Sequence, residues 1–175
     1  MPKRHKALND IDAPYLQSLM RLMETQSKTT LANWCISYAE RYILPVYEKA
    51  SPEDPRPMLA LELARDWLAG RVKLPRVKRA ILEVHAAARE SEANPAAQAA
   101  ARAIGQSAST VHSARHSIGL ALYGALAVAY DRLGADADWS SLSNVAEAEV
   151  GKMEAALRTI AVENESNPAT LKWSR

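Results

Sequence analysis

Residues 85–123 read HAAARESEANPAAQAAARAIGQSASTVHSARHSIGLALY, and this stretch decides the fold. Alanine has the best intrinsic helix propensity, and no β-branched residues alternate here as a strand would require. Asn94-Pro95 is a cap followed by a first-turn proline, so one helix closes before it and another opens after it. Three of the chain's four histidines, His85, His112 and His116, fall inside these apolar segments. A buried imidazole or guanidinium must find partners or neutralise, so the stretch is also the first place to look for a site.

Helix signals continue outward on both sides. A first short helix is expected over about residues 12–25, carrying Leu16, Leu19, Met20 and Met23 on one side. Ser27, Thr29 and Thr30 offer caps for a second helix through Leu31, Trp34, Cys35, Tyr38, Tyr42 and Val46, kinked or restarted at Pro45. Ser51-Pro-Glu-Asp-Pro55 breaks the chain. A third helix is expected over 57–69, stopped by Gly70, and a fourth from Pro75 to about Glu90. A fifth spans about 96–106 and a sixth about 110–133, stopped by Gly134. Nothing between Gly105 and Ser109 forbids one long, bent helix in place of these two. The last runs from Ser140 or Ser141 to about Glu163, followed by a polar tail containing Trp173. Short connections imply antiparallel neighbours. The expected fold is all-α: a single-domain bundle of about six or seven antiparallel helices with an alanine-rich core. Ala96, Ala97, Ala100, Ala101 and Ala103 present a face on which helices approach closely.

Composition limits the function. Of 175 residues, 48% are hydrophobic and 24% charged, as in an ordinary globular protein. The longest nearly uncharged run, Ser117 to Tyr130, has about fourteen residues, short of the roughly 20 that span a bilayer. No membrane association is expected. The start, MPKRHKALND, leads into no apolar core of signal-peptide type, and its Lys3, Arg4, His5 and Lys6 read as a solvated tail. The single cysteine, Cys35, excludes an internal disulfide and suits a reducing cytoplasm. A net charge of +2 with interspersed signs gives no argument for nucleic acid. The basic group Lys73, Arg76, Lys78 and Arg79 reads as a solvated helix face.

Two helices carry the chemistry. On the fourth, Val77, Ala80, Ile81, Val84, His85 and Ala88 keep 3.6-residue spacing, with Arg89 one turn beyond His85. On the sixth, His112, His116, Gly119, Tyr123 and Tyr130 are expected on one stripe, where Gly119 leaves room for a neighbouring helix or a small ligand. A histidine pair at i and i+4 can chelate zinc. Ser113, Ala114 and Arg115 lie between these two, so the glutamate base of a zinc-protease helix is missing. The third ligand would have to be His85 or a carboxylate such as Glu40, Glu62 or Asp66. The bland alternative is a hydrogen-bonded histidine cluster in the core, with no cofactor, and it is preferred. Ser107, Ser109, Thr110, Ser113 and Cys35 are the available nucleophiles, but no strand–turn–helix elbow accompanies them. On the third helix Glu62, Arg65 and Asp66 form either a solvated ion-pair face or, with Glu62 or Asp66 turned inward, partners for Arg89, Arg102 or a histidine.

The order of these residues resembles the bacterial Imm-five-like immunity-protein family. The matching segments are LANWCISYAERYILPVYE (31–48), DPRPMLALELARDWLAGRV (54–72), ILEVHAAARE (81–90) and NPAAQAAARAIGQSASTVHSARHSIGLALYGALA (94–127). The resemblance covers roughly Leu31 to Tyr130. It implies a division into residues 1–27 (basic segment and short helix), 28–134 (Imm-five-like helical core) and 135–175 (C-terminal helix and tail). Family members often carry histidine where this chain has Gln106, a departure that removes an imidazole from any metal cluster. Matching positions nominate Glu40, Arg41, Glu62, Arg65, His85, Arg89, Arg102, His112 and His116 for a polar centre, with Tyr123 beside them. The resemblance implies a cytoplasmic, non-enzymatic protein that neutralises a protein toxin through a helix face or the Ser51–Pro55 loop, with a second copy of the chain a further candidate partner. The rival expectation is a metal- or small-ligand-binding bundle, conceivably a hydrolase, using His85, His112 and His116.

Overall fold

Pro14 opens the first helix, α1 (Pro14–Met23), where its missing N–H costs nothing, and Leu16, Leu19, Met20 and Met23 all point inward. The computed structural model describes residues 4–173, so Lys3 of the expected basic tail lies outside the described residues. Ser27 accepts the Thr30 N–H at 3.1 Å and caps α2 (Lys28–Tyr38). Pro45 then meets its constraint in an unexpected way. The chain widens into a π turn at Ala39–Ile43, with the Leu44 N–H reaching back to the Ala39 carbonyl, and continues as α3 (Leu44–Ala50). The proline is thus absorbed without ending the rod.

After the 51–55 loop come α4 (Arg56–Leu68) and α5 (Leu74–Glu90), with Pro75 in the first turn of α5. Asn94 accepts the Ala97 N–H at 3.1 Å and opens α6 (Pro95–Ser109), which runs three residues past its expected end. The sixth expected helix is broken. Ser107, Ser109 and Thr110 turn their hydroxyls back onto the carbonyls of Ala103, Gly105 and Gln106 at 2.8, 2.7 and 3.3 Å. Such back-bonding competes with helix propagation, and Ser113 leaves in an extended conformation. A 3₁₀ turn (Ala114–Ser117), a π turn (Leu120–Gly124) and α7 (Ala125–Leu133) follow. Asp138 caps α8 (Trp139–Ile160) by accepting the Ser141 N–H at 2.9 Å. Counting α2–α3 as one rod gives seven helices, with no strand among the described residues.

The helix α6 is the axis of the bundle, packed against α3, α4, α5 and α7. Ala97, Ala99, Ala100, Ala101, Ala103 and Ala108 are all buried on it, and they belong to one hydrophobic core that draws on every helix. No helix among the described residues is long and apolar enough to cross a membrane.

The basic start is not a solvated tail. The His5 ring stacks on Trp139 with centroids 3.7 Å apart, the Tyr130 hydroxyl donates to the His5 carbonyl at 2.8 Å, and the Leu8 N–H donates to Leu122 O at 2.9 Å. These backbone and ring contacts hold the segment across α7 and α8, which charge counting does not register. At the other end the Ala169 N–H donates to Gln26 O at 2.8 Å, and the Trp173 indole N–H donates to Glu24 at 2.7 Å.

Candidate functional site

α5 brings His85 against α6 at Gly105. A Cβ on Gly105 would lie 2.7 Å from the imidazole Cε1, so the ring occupies the space that the glycine leaves. Arg102 precedes Gly105 by one turn, and Arg89 follows His85 on α5. Burial pushes the His85 pKa down from its ordinary 6.5, and the Arg102 and Arg89 charges push the same way.

One residue beyond Gly105, Gln106 reaches the 3₁₀ turn. Its Oε1 lies 2.8 Å from His116 Nδ1 and accepts that proton. Gly119 makes room for this glutamine, because a Cβ there would sit 2.4 Å from Gln106 Cβ. The space at Gly119 is therefore filled by a neighbouring helix. His116 and Tyr123 line the same cavity as Gly119, but the expected five-residue stripe does not form. His112 sits in the turn before the 3₁₀ segment, its ring centroid 5.6 Å from that of His116. The π turn at 120–124 then shifts the helix phase, and Tyr130 points away toward His5.

The three imidazoles share one electrostatic setting. His112 is held below 6.5 by burial, Lys78 and Lys28; His116 by burial, His112, Arg115 and His85. Burial and neighbouring cationic groups push all three the same way. Two buried polar atoms in the seam, Arg102 Nε and His112 Nδ1, have no hydrogen-bond partner among the described residues. Nor is any group of three or more His, Cys, Asp or Glu side chains among them placed to hold a metal ion. His85 packs on Gly105 of α6, His116 meets Gln106 one residue on, and the His112 ring neighbours that of His116.

Glu40, Glu62 and Arg65 stand apart from the seam. Arg65 pairs with Glu40 on the π turn, both half in solvent. Asp66 accepts from Arg71 at 2.6 Å, and Glu62 is exposed. Their charges are satisfied more cheaply in water than by turning inward. Four of the five candidate nucleophiles are accounted for: the Ser107, Ser109 and Thr110 hydroxyls bond backbone carbonyls, and burial pushes the Cys35 thiol up to about 12.

Sequence reasoning missed one buried carboxylate. Glu149, only 3% exposed, accepts the Tyr38 hydroxyl at 2.7 Å, with Arg132 and Lys152 each 3.8 Å from its other oxygen. Its signal was available, since Ala146, Glu149, Val150 and Met153 share one helical stripe. A second anchor is Asp54, which the Arg56 guanidinium holds at a pKa of about 2 and which accepts the Tyr47 hydroxyl at 2.6 Å. The Tyr47 and Arg56 bonds to Asp54 pin the 51–55 loop.

Searches of curated proteins and of solved structures give no match. A sequence model of one family, described as Imm-5 like putative immunity protein, matches residues 21–156. That span is wider than the 31–130 resemblance and takes in the end of α1 and most of α8. The ordered helices, the His85–His116 seam and this match agree: the chain belongs to the Imm-5-like putative immunity protein family.

Proposed function

We propose that this protein is a cytoplasmic bacterial immunity protein that binds a protein toxin and covers its active surface, with no catalytic step of its own. Family membership supports the class of partner. The observation that carries the binding surface is Leu82, an α5 side chain 67% exposed and the most exposed of the large hydrophobics. Lys78, Leu82 and Arg89 fall within about 40° of one another around a helix of about 3.6 residues per turn. Neither Lys78 nor Arg89 makes an ion pair among the described residues. On a rigid helix, Leu82 with two unpaired cations beside it offers a protein partner an apolar contact with a charged rim. Its sign favours an acidic face on the toxin, which would speed encounter and fix register. The 51–55 loop, the other expected surface, is committed to internal bonds through Asp54.

The test is co-expression with candidate toxins encoded beside the gene, read by growth and by pull-down. Rescue from one toxin together with a stable complex supports the reading; no rescue from any neighbouring toxin contradicts it.

A further inference from the structure

The 3₁₀ turn and the π turn after it border a cavity of about 330 Å³, within the roughly 300–1,000 Å³ typical of small-molecule sites. Its polar lining is Gln106, Arg115, His116, Tyr123 and Lys172, and no aspartate or glutamate lines it. Arg115 and Lys172 make no ion pair among the described residues. Two cations lining a concave site, with no ion-pair partner among the described residues, attract an anion. Asp12 and Glu24 line a neighbouring cavity that shares Ile11 and Trp173 with this one, and Glu24 accepts the Trp173 indole N–H there.

The floor is built rather than incidental. The Gln106 side chain lies over Gly119, where any larger residue would collide with it, and fixes His116 through Nδ1. With Nδ1 protonated, the neutral ring keeps a lone pair on Nε2 and can accept a hydrogen bond. Ile11, Ile118 and Leu122 make the rest of the lining apolar, together with the rings of Tyr123 and Trp173. Aromatic and aliphatic lining of this kind favours a planar apolar body, and the two cations favour an anionic end.

We propose that this cavity binds a small organic anion with a flat aromatic body, its carboxylate or phosphate held by Arg115 and Lys172 and its polar edge read by Gln106 and His116. The site is separate from the α5 face, so it can fail or succeed without regard to toxin binding.

The test uses the full chain alone and follows the His116 ring protons and the Trp173 indole proton by NMR. Benzoate and AMP are the planar carboxylate and phosphate probes; acetate and inorganic phosphate carry the same charges without the ring. The expected result is a saturable shift of both reporters with benzoate or AMP, at least tenfold tighter than with the matching ringless anion. Arg115→Gln and Lys172→Gln should each weaken it about tenfold, which is about 1.4 kcal/mol, with an unchanged melting curve. Which planar probe binds identifies the anionic group. No saturable shift with either, equal affinity for the ringless anions, or full affinity in both variants would each overturn the proposal.

Discussion

Gln106 Oε1 and His116 Nδ1 meet at 2.8 Å, joining the central helix to the turn that follows it. It gives one of the two neighbouring histidines a hydrogen-bond partner from a different helix. It also depends on Gly119, whose missing side chain is the space Gln106 fills. Gly119→Ala should therefore destabilise the fold by about 1–3 kcal/mol, as overpacking does. Urea unfolding measures this, and a midpoint equal to wild type would show that the glutamine moves aside freely.

His85 and Gly105 form a second such pair. Gly105→Ala would place a methyl 2.7 Å from the imidazole and should destabilise the protein. In a His85→Ala background the collision partner is gone, so the same change should cost less or even stabilise, since alanine is the better helix former by about 1 kcal/mol. The double-mutant cycle reads this coupling directly. Strict additivity would refute the contact.

The histidines set a pH dependence with a definite sign. His85, His112 and His116 all have folded pKa values below the ordinary 6.5. The unfolded chain therefore binds protons that the folded chain refuses, and stability rises with pH across that window. This contribution is complete above about 6.5 and is lost as pH falls through the folded values. Asp54, with its pKa lowered to about 2, adds a further loss only at much lower pH. The melting temperature should drop between pH 7.5 and 5.5, and less so in His85→Asn. A flat profile over that range would contradict the burial argument.

Much of the fold was legible because its signals are local. Asn94-Pro95, Pro75, Ser27 and Gly134 each mark a helix end through their own backbone chemistry, and the structure uses all four. The single-stripe reading of His112 to Tyr130 failed because periodicity assumes a constant 3.6-residue phase. Back-bonded hydroxyls at 107–110 and the π turn at 120–124 both break that phase. Docking of His5 on Trp139 was illegible for a different reason: the two residues are distant in sequence, and a basic run carries no sign of its partner.

The buried carboxylate gives a stability prediction away from the seam. Tyr38→Phe removes the hydroxyl that Glu149 accepts at 2.7 Å and leaves a buried oxygen without its donor. The cost should be about 1.5–3 kcal/mol, the range for a hydrogen bond to a charged group. Tyr42→Phe, on a side chain 44% exposed, is the control and should be near neutral. Equal midpoints in chemical denaturation would remove Glu149 from the structural account.

Neutralisation of a toxin through the α5 face is the central claim, and a paired charge substitution tests it most directly. Leu82→Asp places a carboxylate at the centre of the proposed patch, whereas Met58→Asp, on exposed α4 surface, alters the charge equally elsewhere. Growth of cells expressing the cognate toxin should be lost with Leu82→Asp and kept with Met58→Asp, while both proteins melt like wild type. Full protection by Leu82→Asp would contradict the account.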